Sequence, residues 1–367
     1  MFFSENNRLS KPHFDWPLLV TSYLLALYGV LAITIANFNP SLGSDRSLQD
    51  LIMDANNGRL QLMWVVVSMV VVAIIMSINY NIIGRVWPVI YFVDVLLLGL
   101  VLTTSKINGV RGWFQFLDRT FQPSELVKIC FVLAGASTMD RIVTRRNLAL
   151  FIAYSGIICG CLVLMNDFGT ALIFFAAFLV IAYLRSGNFA TIALVCAATG
   201  FGGIMALRFL KPHVLSRFAS WRHVWEVPLE GGYQQTRAMM CIASGGLLGL
   251  GGGNGWLKYV AASDTDLVFA TVSEEWGLLI GVMMVLAVVC LGAFVVRAAP
   301  VGRSSFYTIG ACAAISILMV QTILNVLGTV DLLPLTGVTF PFVSNGGSSM
   351  ISAWGLLAFV KGADTRR

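Results

Sequence analysis

The chain has 367 residues, of which 57% are hydrophobic and 11% charged, with a formal net charge of +6. Soluble globules carry about a quarter charged residues, so this composition, with a mean hydropathy of +0.82, excludes an ordinary soluble domain. Apolar runs of about twenty residues, enough to cross a hydrocarbon core of about 30 Å, recur along the chain and predict an all-α, polytopic helical membrane protein.

In chain order the predicted spans are 16–37, 60–79, 85–103, 121–139, 147–165, 168–185, 189–209, 269–296, 304–326 and 346–361, about ten transmembrane helices. The first run is too long for a signal-peptide core and reads as a retained span. An even number of spans puts both termini on one side. Arg8, Lys11, Arg85, the Arg141, Arg145 and Arg146 cluster, Arg185, Arg297, Arg303 and the basic C-terminus share that side, which the positive-inside bias makes cytoplasmic. The basic residues of the long 210–268 stretch lie on the other side, where long translocated segments escape that bias and are able to meet anionic headgroups or a diphosphate. No nucleic acid is needed to account for the charge. The seven cysteines lie almost entirely in apolar runs, without metal or disulfide spacing, and read as packing residues.

The chain reads as a single membrane domain over 1–367 with a large extracytoplasmic loop at about 210–268. Three outer segments, about 103–122, 210–268 and 327–347, are irregular enough to build a site, because irregular backbone at membrane depth must be buried in protein or line a wet cavity. Asp94, in mid-span without a charged sequence neighbour, reads as a helix-packing contact. Arg111, Arg217 and Arg222 are candidate phosphate contacts, or else solvated or lipid-facing side chains. At the head of span 121–139, Pro123 suits a first helical turn, and Glu125 and Lys128 share one face. Their pairing is either structural or faces a wet cavity. Asp167, at the break between two spans, is a helix N-cap or a member of the same cavity.

Tyr233-Gln234-Gln235 opens a run with helical spacing suited to the membrane interface. The glycine-rich stretch Ser244 to Gly255 follows no strand and is a poor dinucleotide loop. It is either a flexible connector or backbone that must approach another element or a lipid-linked ligand closely. Ser263-Asp264-Thr265-Asp266 then places two carboxylates at a membrane surface, followed by Glu274 and Glu275 inside the next run. Ionised side chains cost on the order of 3 kcal/mol or more at a bilayer centre, so Glu274 calls for a partner. Acids at the membrane wall with cations nearby suit removal of a hydroxyl proton while a phosphate leaves. Asn345-Gly346-Gly347-Ser348-Ser349 leads into the last span, where amides and a helix N-terminus favour an anion, the alternative being a hydroxyl-rich cap.

Several motifs occur together: Asn108-Gly109-Val110-Arg111-Gly112-Trp113, Phe121-Gln122-Pro123-Ser124-Glu125 with Lys128, Asp167-Phe168-Gly169-Thr170-Ala171, and Gly232-Tyr233-Gln234 with Ser244-Gly245-Gly246. Thr265-Asp266 with Glu274-Glu275-Trp276-Gly277 follows, then Leu333-Pro334-Leu335-Thr336-Gly337 through Pro341 to Ser349. As a set, in this order, they resemble the SEDS family (shape, elongation, division and sporulation), to which RodA, FtsW and SpoVE belong. The resemblance implies a peptidoglycan glycosyltransferase of the bacterial cytoplasmic membrane that polymerises lipid II at the outer face. It implies a growing undecaprenyl-linked glycan, release of undecaprenyl diphosphate and a class B penicillin-binding protein as partner. By the same resemblance Asp266 is the catalytic base, and Glu125, Lys128 and Asp167 line a central cavity.

Further candidates for substrate binding or cavity lining are Arg111, Arg217, Tyr233, Gln234, Asp264, Glu274, Ser344, Asn345, Gly346, Gly347, Ser348 and Ser349. The chain departs from the family pattern at Asp264, where His is common, at Asn345, where an aromatic is usual, and across Asn325 to Thr329. Asp264 is placed to raise the pKa of Asp266 by repulsion or to help hold a divalent cation, Mg or Mn. Other readings are a lipid II flippase, suggested by broken helices and intramembrane charges, and a non-catalytic scaffold for a penicillin-binding protein.

Overall fold

The structure is a computed structural model that describes residues 16–36, 48–77, 80–106, 109–116, 119–140, 145–187, 220–298 and 304–363, with isolated positions between 189 and 197. The predicted span 189–209 lies largely outside the described residues, as does Arg217. The first six helices are α1 (Trp16–Ala36), α2 (Leu48–Ser77), α3 (Tyr80–Val101), α4 (Pro123–Asp140), α5 (Arg145–Met165) and α6 (Phe168–Ser186). After them come α7 (Tyr233–Gly245), α8 (Val268–Trp276), α9 (Leu278–Ala298), α10 (Ser305–Thr329) and α11 (Gly347–Ala363). Asn147–Met165, Phe168–Ser186, Leu278–Arg297 and Ser305–Thr329 are long and apolar enough to cross a membrane.

Helices α4 and α10 form the centre, packed on each other and both on α6 and α11. Along α4 nearly every side chain from Ser124 to Thr138 is buried, whereas α9 exposes Leu279, Val282, Met283 and Leu286, the pattern of a lipid-facing helix. Small residues let the central helices approach. A Cβ at Gly135 of α4 would meet Ile181 of α6 at 2.8 Å and Phe151 of α5 at 2.9 Å. Buried Asp94 of α3 accepts from the Tyr154 hydroxyl of α5, whose ring stacks on Tyr91 with centroids 3.7 Å apart. Asp94 is thus held between helices, as its isolation in the sequence suggested.

Two elements were not legible in the apolar pattern. Residues Phe114–Phe116 (β1) and Arg119–Phe121 (β2) form an antiparallel hairpin with Phe114 opposite Phe121, directly before Pro123 opens α4. Three-residue strands are too short to show a period of two. The predicted span 269–296 is in fact two helices, α8 and α9, broken at Gly277, whose φ is 90°.

The glycine-rich stretch accounts for that break. Leu278 and Leu279 donate their amides to the carbonyls of Gly246 and Leu247, at 2.9 and 3.3 Å. In return Leu250 and Gly251 donate to the carbonyls of Glu274 and Glu275, both at 2.9 Å. Backbone groups freed by a helix break find no partner in lipid, and here another part of the chain supplies them. This contact leaves no room for side chains. A Cβ at Gly249 would lie 2.3 Å from the Glu275 carbonyl oxygen, and one at Gly277 would lie 2.1 Å from that of Leu247. Of the two readings of this stretch, close backbone approach is the one the fold adopts.

Gly277→Ala adds this clash to the strain of a left-handed residue, itself about 1–3 kcal/mol. Thermal unfolding of the detergent-solubilised variant is expected several degrees below the parent. Gly99→Ala, with nothing within 4 Å of the added methyl, serves as the control and leaves the transition in place.

Candidate active site

Asp266 sits on a stretch of backbone held from two sides. On its own side, Ala262 adopts a left-handed φ of 66°, its carbonyl accepts from Thr265 N at 3.2 Å and Leu267 N at 3.0 Å, and Thr271 Oγ1 of α8 donates to the Ser263 carbonyl at 2.7 Å. From the opposite side, three successive carbonyls are each taken by a different donor. The Asn345 amide donates to Asp264 O at 2.8 Å, Ser344 Oγ to Thr265 O at 2.6 Å, and Asn325 Nδ2 to Asp266 O at 2.8 Å. Each such bond contributes about 0.5–1.5 kcal/mol net. Their joint effect is to fix where the Asp266 side chain starts.

The half-buried Asp266 carboxylate borders Gly337, where a Cβ would stand 3.4 Å from Oδ2. The strip Thr336-Gly337-Val338 continues to α6, packing on Gly169 so closely that a Cβ there would meet Val338 at 2.6 Å and Thr336 at 2.8 Å. Next to Gly169 is Asp167, the N-cap of α6. Its Oδ1 accepts from Thr170 N at 3.1 Å and its Oδ2 from Gln122 Nε2 at 3.4 Å. Asn166 Nδ2 donates to Gly109 O and Arg111 N to Met165 O, both at 3.0 Å, so Gly109 and Arg111 are tied to the same corner.

On α4, Lys128 Nζ lies 2.8 Å from Glu125 Oε1, with both side chains buried. Burial holds the Asp167 carboxyl above the usual carboxylate range, opposed by its bonds from Thr170 and by the Lys128 ammonium, while Glu125 adds to the rise. Asp167 is therefore both a cap and a neighbour of the ion pair. Around this seam Arg111 Nε, Ser124 Oγ, Glu125 Oε2 and Thr336 Oγ1 are buried with no hydrogen-bond partner among the described residues. Such atoms suit water or a polyhydroxylated ligand.

Residues 16–367 match a family model described as FTSW_RODA_SPOVE, cell cycle protein. The chain belongs to the FtsW/RodA/SpoVE family. It is similar to the peptidoglycan glycosyltransferase RodA of Mycobacterium tuberculosis, 31% identical over 274 residues that cover 70% of this chain and 58% of that protein. Stage V sporulation protein E of Bacillus subtilis is 28% identical over 363 residues, covering 94% of this chain and 95% of its own length. Among solved structures, a chain of a peptidoglycan synthase complex that coordinates polymerization and crosslinking shares the fold, with a TM-score of 0.73 at 23% identity, covering 95% of this chain and 97% of that one. The chain spans 58% of the length of the mycobacterial relative.

Two of the expected departures from the FtsW/RodA/SpoVE pattern, Asp264 and Asn345, touch each other. Asn345 Nδ2 donates to Asp264 Oδ2 at 2.8 Å, beside the main-chain bond already described. Glu274 stands apart from the mouth. It is buried, with Oε1 accepting from Trp256 N at 2.8 Å and Oε2 from Leu257 N at 3.0 Å. Its expected partner is thus a pair of backbone amides, and Glu275 likewise accepts from Gly253 N at 3.1 Å.

The remaining candidates also take structural contacts. Gln234 Nε2 of α7 donates to Ala261 O at 3.0 Å, just ahead of the Asp264 to Asp266 stretch, and the guanidinium of Arg237 lies 5.5 Å from the centre of the exposed Tyr233 ring. An Arg111 terminal nitrogen donates to Leu102 O at 3.3 Å, and exposed Arg222 has its guanidinium 5.4 Å from the Trp221 ring centroid. In the last segment the amide of Asn345 is given to Asp264, Ser349 Oγ donates to Gly346 O at 3.0 Å, and Ser348 lies in the first turn of α11. Gly347 is required by contact with Trp64, which a Cβ would meet at 2.3 Å. Reasoning from sequence missed Asn325, Gln235 and Asp331. Gln235 Nε2 joins α7 to Gly328 O at 2.9 Å and to Asp331 Oδ1 at 3.2 Å. A lone amide such as Asn325 deep in an apolar run was the available signal, because lipid does not satisfy it.

Lys128→Met leaves Glu125 buried without its cation, a change that costs about 3–5 kcal/mol. A markedly lowered unfolding temperature is expected for this variant, and the double variant Glu125→Gln/Lys128→Met is expected to recover most of the loss.

Proposed function

We propose that the chain is a peptidoglycan glycosyltransferase that joins lipid II units into glycan strands at the outer face of the bacterial cytoplasmic membrane, releasing undecaprenyl diphosphate. The reading is supported by the family, by relatives named as such enzymes, and above all by one observation. A half-exposed carboxylate, Asp266, stands on backbone pinned at three successive carbonyls beside the strip that leads to Asp167.

In the proposed reaction the Asp266 carboxylate takes the proton of an acceptor sugar hydroxyl. The hydroxyl oxygen forms a bond to the anomeric carbon of the donor, and the bond from that carbon to the diphosphate oxygen breaks, its electron pair leaving with undecaprenyl diphosphate. A positioned general base contributes about 10²- to 10⁴-fold to such a step. Arg111, whose Nε has no partner among the described residues, is the proposed donor to charge growing on the diphosphate.

No three His, Cys, Asp or Glu side chains converge among the described residues, and Asp264 is turned to Asn345. No step above runs through a cation. Both termini are proposed to be cytoplasmic, which puts the 220–268 segment outside, within reach of a strand-crosslinking partner of the class B penicillin-binding protein kind.

A flippase drew its support from broken helices and intramembrane charges. At the Gly277 break, the amides of Leu278 and Leu279 and the carbonyls of Glu274 and Glu275 are paired with the glycine-rich stretch, which favours a structural role for that break. A non-catalytic scaffold drew its support from the unusual Asp264, which Asn345 accommodates.

Purified protein given lipid II is expected to make glycan strands. Asp266→Asn is expected to reduce strand formation by at least about 10²-fold, with expression and unfolding temperature unchanged. Strands of normal yield from that variant would remove Asp266 from the mechanism.

A further inference from the structure

We infer that Asp264 and Asn345 are a positioning pair for Asp266, a two-point clip that holds the loop bearing the base against the entrance of α11. The inference rests on the glycosyl-transfer reading of the site. Its structural half is open to a test that needs no turnover.

The geometry is specific to these two residues. Asn345 reaches Asp264 twice, main-chain amide to carbonyl and side-chain amide to carboxylate, both at 2.8 Å. One bond sets a distance, whereas two from the same residue also set an orientation. Asn345 is itself anchored away from the loop. The carbonyls of its neighbours Val343 and Ser344 accept from Gln61 Nε2 of α2 at 3.2 and 3.4 Å, the Ser344 amide donates to Phe340 O at 3.1 Å, and Gly347 packs on Trp64 of α2. The clip therefore ties the Asp266 loop to the junction of α2 and α11, which pack on each other.

The charge on Asp264 makes the clip necessary. A carboxylate two residues from the base, free to rotate, would compete for the same acceptor hydroxyl and repel the base. A side-chain amide donor facing Oδ2 directs that charge along a fixed vector and strengthens the hydrogen bond through it.

The test uses isosteric variants of the full chain, so that packing volume is kept. Asn345→Asp sets two carboxylates face to face and is expected to lower kcat for strand synthesis from lipid II about tenfold, with KM within about twofold. Adding Asp264→Asn rebuilds the bond with donor and acceptor exchanged and is expected to bring kcat back to within about threefold of the parent. Absence of that rescue overturns the inference. So does a loss expressed in KM, which would make Asp264 or Asn345 a substrate ligand instead.

Hydrogen–deuterium exchange decides the clip independently of activity. The Asn345 amide is expected to exchange faster in Asn345→Asp at that position, and in Asp264→Ala, than in the parent, and to be protected again in the exchanged pair. Unchanged exchange in Asp264→Ala overturns the clip. A parent that makes no strands would sink the glycosyltransferase reading while leaving this measurement to judge the contact.

Discussion

A helix that stops inside a membrane protein frees amides and carbonyls that lipid cannot bind, and the break at Gly277 sets the terms for its surroundings. The freed groups around Glu274 to Leu279 are matched by the backbone of Gly246 to Gly251. That pairing requires bare backbone on both sides, which is why glycine occupies Gly245, Gly249 and Gly277. With the break closed, α8 becomes a short buried helix whose first turn holds the Ser263 carbonyl, and the loop carrying Asp266 acquires a rigid base. Tertiary contact supplies here what water supplies at the end of a soluble helix.

The same constraint sorts the acids into four settings. Glu274 and Glu275 accept from loop amides, Glu125 from the Lys128 ammonium, Asp94 from the Tyr154 hydroxyl, and Asp167 from the first turn of the helix it caps. Each of these carboxylates holds elements together. Asp266 is distinguished by its backbone, since its own carbonyl and those of Asp264 and Thr265 are each taken by a donor from a distant part of the chain.

Fastening comes mainly from the far end of the sequence. Asn325, Ser344 and Asn345 lie some sixty to eighty residues beyond the loop they hold, and Gly337 borders the carboxylate itself. Gly169, about a hundred residues earlier, meets the same strip from α6, and Asp167 caps that helix two residues away. The motifs that stood apart along the chain are therefore parts of one corner. Thr336-Gly337-Val338 is the shared wall, and its glycine is tolerated in a left-handed φ of 73° while leaving space beside Asp266.

The sequence by itself determined the helical membrane class, the approximate bounds of most helices, the Glu125 to Lys128 pairing and the capping place of Asp167. Each of these depends on hydrophobic length or on spacing within one helix, both of which are local quantities. It did not determine the break at Gly277, because two acids and one glycine inside a long hydrophobic run are equally compatible with a continuous helix. Only the fold brings Leu247 to that point. Nor did it assign Glu274 to loop amides, or join Asp264 to Asn345, which stand eighty-one residues apart. Contacts at that separation leave no periodic trace along the chain, and lipid, by refusing every unpaired polar group, forces them to form only once the helices have assembled.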